Sequence, residues 1–137
     1  MKNAIIFGLG LFVAVAVAPS SYAQNAPTGP AAALSAFDTD KDGTLSWDEV
    51  RVAAQAKFAA ADTDHDFTLD AKEAAKLGIT KSMLKKADSD KDGTLSQDEY
   101  LAIVKQRFDA ADKDHDGTLT LKELSSHRGR ELLRLVQ

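Results

Sequence analysis

Four twelve-residue segments share one pattern, D-x-D-x-D-x-x-L-x-x-x-E, and constrain this 137-residue chain more than anything else in it. They occupy residues 38–49, 62–73, 88–99 and 112–123. DTDKDGTLSWDE, starting at Asp38, returns 50 residues later as DSDKDGTLSQDE at Asp88; the segment at Asp62 returns 50 residues later at Asp112. A fixed internal period marks a duplicated structural unit, here a two-loop unit. Between the loops lie VRVAAQAKFAAA (50–61) and YLAIVKQRFDAA (100–111), rich in helix formers and free of Gly and Pro. Both read as helices. The middle connection differs: Ala74 to Leu77 is helical, Gly78 stops it, and Thr80 caps a second helix through Ala87. After the last loop a helix is expected over Leu121 to His127, with Gly129 interrupting before Arg130 to Val136.

A short chain segment wrapped around a hard cation presents every second residue to it, and Ca²⁺ takes six to eight oxygens at about 2.3–2.6 Å. Carboxylates therefore belong at loop positions 1, 3 and 5, where the chain has Asp38, Asp40 and Asp42; Asp62, Asp64 and Asp66; Asp88, Asp90 and Asp92; Asp112, Asp114 and Asp116. Position 7 needs only a backbone carbonyl, supplied by Thr44, Thr68, Thr94 and Thr118. Position 9, acting directly or through water, is Ser46, Asp70, Ser96 or Thr120. Position 12 opens the exiting helix and gives both oxygens of Glu49, Glu73, Glu99 or Glu123. The sharp turn at position 6 suits Gly43, Gly93 and Gly117. The leucines at position 8 (Leu45, Leu69, Leu95, Leu119) suit a short β-bridge between paired loops.

On these residues the chain resembles the EF-hand superfamily, and it is similar to bacterial exported proteins with four EF-hands. The likeness runs from about Ala31 to His127 and includes an apolar residue four positions before each loop: Leu34, Phe58, Leu84 and Phe108. It implies an all-α fold of helix–loop–helix repeats in a single compact domain, and up to four bound Ca²⁺ ions. The loop at 62–73 departs from the pattern. Phe67 stands at position 6, where a left-handed backbone is costly for a bulky side chain. Asp70 adds a fifth acid there, so this loop is expected to bind weakest or with altered geometry. The alternative is that Phe67 packs nearby and the loop tolerates the strain.

Loop starts at 38, 62, 88 and 112 lie 24, 26 and 24 residues apart. Twelve unbroken residues between loops 1 and 2 leave room for only one shared helix. At 1.5 Å per residue it separates its loops by roughly 20 Å, too far for direct pairing. Loops 3 and 4 are spaced alike. A nested arrangement is expected, with loop 2 on loop 3 across the Gly78 turn and loop 1 on loop 4; sequential pairing requires a break in each shared helix.

The presumed ligands take 17 of the 21 Asp and Glu residues, leaving Asp48, Asp98, Asp109 and Glu131. Such clustered charge repels itself without a counterion. At the other end, Lys2, the apolar run Ala4 to Ala18, and small residues at Ser21 and Ala23 have the layout of a secretory signal peptide over 1–23. The run is short for a membrane anchor. Residues 24–33 read as a flexible linker and 34–137 as the four-loop domain, exported to the periplasm or secreted. Losing Lys2 takes the formal charge from −4 to −5, and four Ca²⁺ ions would carry it to +3. With no cysteine, an exported domain of this size lacks disulfides, and bound metal is the obvious support.

Other functions find little in the residues. His65 and His115 stand at position 4, which faces solvent, and no His or Cys cluster has zinc spacing or the makings of a nucleophile. No basic stripe interleaved with aromatics suggests nucleic acid. Met83 is the one methionine beyond the leader, unlike the Met-rich grooves of promiscuous calcium sensors. That favours a calcium buffer or a weakly target-binding sensor. The alternative is a calcium-dependent interaction module with an envelope protein as partner. The basic, apolar end from His127 to Gln137 suits either a cover for the core or a contact surface.

Overall fold

The computed structural model describes residues 28–137; the expected leader at 1–23 and the first four residues of the expected linker, 24–27, lie outside them. The order is α1 (Pro30–Phe37), β1 (Thr44–Ser46), α2 (Trp47–Ala61), β2 (Thr68–Leu69), α3 (Ala71–Lys76) and α4 (Lys81–Ala87). There follow β3 (Leu95–Ser96), α5 (Gln97–Ala111), β4 (Thr118–Thr120), α6 (Leu121–Leu124) and α7 (His127–Val136). The fold is mostly helical, with two small antiparallel strand pairs.

Helix α1 begins inside the stretch read as linker, and Ala33 is fully buried. Pro30 sits in its first turn, where a missing N–H costs nothing and a fixed φ favours the helix. The ordered body therefore starts ahead of residue 34.

The shared helices are unbroken. α2 and α5 each run 15 residues, about 22 Å, from one loop straight into the next. Pairing is accordingly nested. β1 pairs with β4, Leu45 opposite Leu119, and β2 with β3, Leu69 opposite Leu95. All four leucines are fully buried, so each bridge also closes one end of the core.

Between loops 2 and 3 the chain reverses through Gly78, at φ 73°. The Gly78 N–H donates to the Ala75 carbonyl and the Ile79 N–H to the Ala74 carbonyl, ending α3 and sending Ile79 into the core. Thr80 then caps α4 by accepting from the Met83 N–H.

The C-terminal break falls elsewhere than expected. α6 stops at Leu124, and Ser126 caps α7 by accepting from the Gly129 N–H. Gly129 lies within the first turn of α7 and interrupts nothing. Its role is close approach: a Cβ there would overlap the Glu123 carbonyl oxygen and the Leu124 backbone. α7 then lays Leu132, Leu133, Leu135 and Val136 into the core and packs on α1, α2, α5 and α6. The buried Tyr100 hydroxyl donates to the Leu135 carbonyl.

Candidate metal centre

Each loop is built by the same sequence of local bonds. The position 1 aspartate ends an entering helix, its N–H donating to the carbonyl four residues back, as Asp62 does to Phe58 at 3.0 Å. The chain then turns inward through left-handed residues at position 4: Lys41, His65, Lys91 and His115 have φ between 58° and 61°. The N–H at position 6 donates to the position 1 carboxylate, from Gly43, Phe67, Gly93 and Gly117 at 3.0–3.1 Å. At position 7 the threonine N–H and hydroxyl both donate to the position 5 aspartate, as Thr44 does to Asp42 at 2.8 and 2.7 Å. That leaves the threonine carbonyls as the oxygens position 7 can offer.

The position 9 side chains serve the helix that follows. The oxygens of Ser46, Ser96 and Thr120 each accept from the N–H of the position 12 glutamate at 3.3–3.4 Å. Asp70 accepts from Lys72 and Glu73 at 2.6 and 2.8 Å. In return each glutamate accepts from the position 9 N–H, completing a capping box. The position 9 residues expected to face the ion are thus held at the helix start; in loop 2 the fifth acid is a helix cap.

The position 12 glutamate is also tied back to position 2. Glu49 accepts from the Thr39 N–H at 2.7 Å, Glu73 from Thr63 at 2.7 Å, Glu99 from Ser89 at 2.7 Å and Glu123 from Lys113 at 3.0 Å. The Ser89 N–H and hydroxyl, then the Ser96 N–H, hold the Glu99 carboxyl down from 4.5 to about 2. Glu73 is held at about 2 by the Thr63 hydroxyl and N–H, then by Asp70. For Glu49 burial pushes upward most strongly, yet the bonds from Ser46 and Thr39 together bring it to about 2. Glu123 is lowered in the same way against its burial.

Position 3 shifts oppositely. Desolvation and then the charges of Asp66 and Glu73 raise Asp64, and desolvation with Asp116 and Glu123 raises Asp114. In Asp40 and Asp90 the largest influence, the N–H of Asp42 or Asp92, works downward but is outweighed by desolvation and neighbouring acids. Each loop thus combines one firmly anionic glutamate with one aspartate held against like charge.

Carboxylate oxygens converge within 4.8 Å of one another in four groups: Asp38, Asp40 and Glu49; Asp62, Asp64 and Asp66; Asp88, Asp90 and Glu99; Asp112, Asp114 and Glu123. Loop 2 is the exception, its trio taking position 5 in place of Glu73. Phe67 has φ 68° and is 80% exposed, so it does not pack nearby and its strain is not offset by burial.

The donor set fits a hard cation, and one observation tests that fit independently. Asp62 and Asp112 are 5% exposed, and the Oδ1 atom of each is buried without a hydrogen-bond partner. A buried carboxylate oxygen is costly unless something pairs it. In loops 1 and 3 the equivalent atoms of Asp38 and Asp88 each accept from the position 5 N–H at 3.2 Å. In loops 2 and 4 that oxygen is therefore left for an ion to pair, a distinction absent from the motif itself.

A family model described as an EF-hand domain pair matches residues 31–105, and one described as an EF hand matches residues 103–126. A search of curated proteins found no match. Four cradles of acidic oxygens, each set between helices, and a family match over more than half the sequence place this chain in the EF-hand family.

Proposed function

We propose that this protein binds up to four Ca²⁺ ions, one per loop, and serves as an exported calcium buffer or sensor. The orphaned Oδ1 atoms of Asp62 and Asp112 carry the reading, because a cation removes their burial cost. In each loop the carboxylates at positions 1, 3, 5 and 12 and the carbonyl at position 7 would hold the ion. Oxygen ligands in this number suit Ca²⁺ over Zn²⁺ or copper. Export rests on the leader pattern at 1–23, and a periplasmic or secreted location follows from it.

Buffering is favoured over target binding by α7, which already fills the apolar face that a target helix would need. Calorimetric titration with Ca²⁺ and Mg²⁺ tests the reading. Four calcium equivalents, or three with a weaker fourth, are expected; no heat of binding in the millimolar range would refute it. The second reading, an envelope-partner module, is favoured by the groove between α1 and α2. There Phe37, Ala53 and Ala56 flank Val52, which is 62% exposed. Pull-down from envelope extract with calcium and with chelator decides between them: a calcium-dependent partner supports the module, and none supports the buffer.

A further inference from the structure

We propose that α7 is a latch held shut by the ion in loop 4, so that calcium covers the apolar face shared by α2 and α5 and its loss uncovers that face. The inference rests on the reading that loop 4 takes an ion, and goes beyond it in assigning a moving part and the sign of its motion.

Three observations combine. First, the seat of α7 is the backbone of a ligand residue. Gly129 presses on the Glu123 carbonyl and on Leu124 so closely that no side chain fits between them. Glu123 meanwhile brings its carboxylate to the Asp112 and Asp114 cluster. Second, the connection has no slack. Only Ser125 and Ser126 separate α6 from α7, and both are fixed: the Ser125 N–H and hydroxyl donate to Leu121, and the Ser126 N–H donates to the Glu123 carbonyl at 3.0 Å. α6 is a four-residue turn that cannot persist alone, so it holds its shape through the Thr120–Glu123 capping box and the loop behind it. Third, loop 4 has reason to change when empty. Asp112 Oδ1 is buried without a partner, and swinging Asp112 toward water displaces the loop that positions Glu123.

What α7 covers is apolar. It packs on α2, whose buried residues include Val50, Ala54 and Phe58, and on α5, whose buried residues include Tyr100, Val104 and Phe108. α7 itself is amphipathic: Leu132, Leu133, Leu135 and Val136 face inward while Arg128, Arg130 and Arg134 face solvent. The face beneath it is therefore shaped for an amphipathic helix, and α7 is its resident. Its polar ties to the rest of the fold, among the described residues, are four: Arg107 to Glu131 at 2.8 Å, the Tyr100 hydroxyl to Leu135, Lys57 to the Gln137 carbonyl, and the Gln137 side-chain amide to the Gly29 carbonyl at 3.3 Å. Release on calcium loss is opposite in sign to a sensor that opens its groove when loaded.

Amide hydrogen exchange on the full chain, read separately over 130–136 and over α5, tests the proposal in wild type, Glu123→Gln and Glu73→Gln. Calorimetry first establishes binding in wild type; no binding there sinks the functional reading itself. With calcium at a level that fills the other loops, Glu123→Gln is expected to lose at least tenfold of the protection over 130–136 while α5 keeps its own. Glu73→Gln, which disables loop 2 on the far side of the β2–β3 pair, should leave α7 protected. Equal loss in both variants, joint loss in α7 and α5, or no loss in Glu123→Gln would each overturn the latch while leaving calcium binding standing. A second variant approaches from the other side. Gly129→Val should bind an apolar dye even with calcium present and weaken one site severalfold by linkage. Unchanged dye binding and unchanged affinity would refute the coupling.

Discussion

Phe67 takes a backbone conformation that its three counterparts reach as glycine, with φ 68° beside 85°, 88° and 85°. A side chain in the left-handed region costs about 1–2 kcal/mol, partly offset on replacement by the extra chain freedom of glycine, about 0.5–1 kcal/mol. Because 80% of Phe67 faces solvent, its removal leaves no cavity. Phe67→Gly should therefore tighten one calcium site severalfold in calorimetry, with the other sites unchanged; an unaltered isotherm would show that the loop absorbs the strain. Phe108 is the reverse case. It is 1% exposed and meets the Trp47 ring edge-on at 5.7 Å, joining α5 to the start of α2. Phe108→Ala should cost about 3–5 kcal/mol in denaturant unfolding of the loaded protein. The same contact lets Trp47 fluorescence report on loops 1 and 4 together, beyond loop 1 alone.

At the scale of elements, the position 9 side chains cap the helices that leave the loops. Ser96 caps α5 while Glu99 accepts from the Ser96 N–H at 3.0 Å, so helix start and metal cradle are one piece of structure. Ser96→Ala should lower stability by about 1 kcal/mol in thermal unfolding under chelator, with calcium stoichiometry retained. Loss of a full equivalent would mean the hydroxyl, directly or through water, is itself indispensable to the site. Much at this scale could be read from residues. Gly78 followed by Thr80 specified a turn between two caps, and twelve helix-forming residues between loops specified shared helices and hence nested pairing. The C-terminal break is not legible from Gly129, because that residue carries two physical meanings. A glycine interrupts a helix or lets one approach another backbone, and only the position of Glu123 decides which. Ser125 and Ser126 gave the better signal, since serine caps helices. The burial of Asp62 and Asp112, against the half-exposed Asp38 and Asp88, lay beyond the motif because it depends on packing around loops with the same ligands.

Across the whole molecule, the two shared helices and two strand pairs form a closed circuit: loop 1 through α2 to loop 2, across β2–β3 to loop 3, through α5 to loop 4, and back across β4–β1. Disabling loop 1 with Glu49→Gln should therefore raise the calcium needed to saturate loop 4, its strand partner, more than that for loop 3. Magnetic-resonance titration of the Gly117 and Gly93 amides measures this, and equal displacement of both would contradict it. Stripping all ions leaves 17 clustered acids without counterions, and circular dichroism should show a marked loss of helix under chelator; identical spectra would count against metal-dependent folding. The circuit also governs how the protein comes into being. A chain grown to Ala111 holds three complete loops, yet only loops 2 and 3 can pair, and β1 waits for strand residues beginning at Thr118. Neither half of the duplication can finish alone, so the first loop made is among the last closed, and shortening the chain from its C-terminal end undoes its beginning.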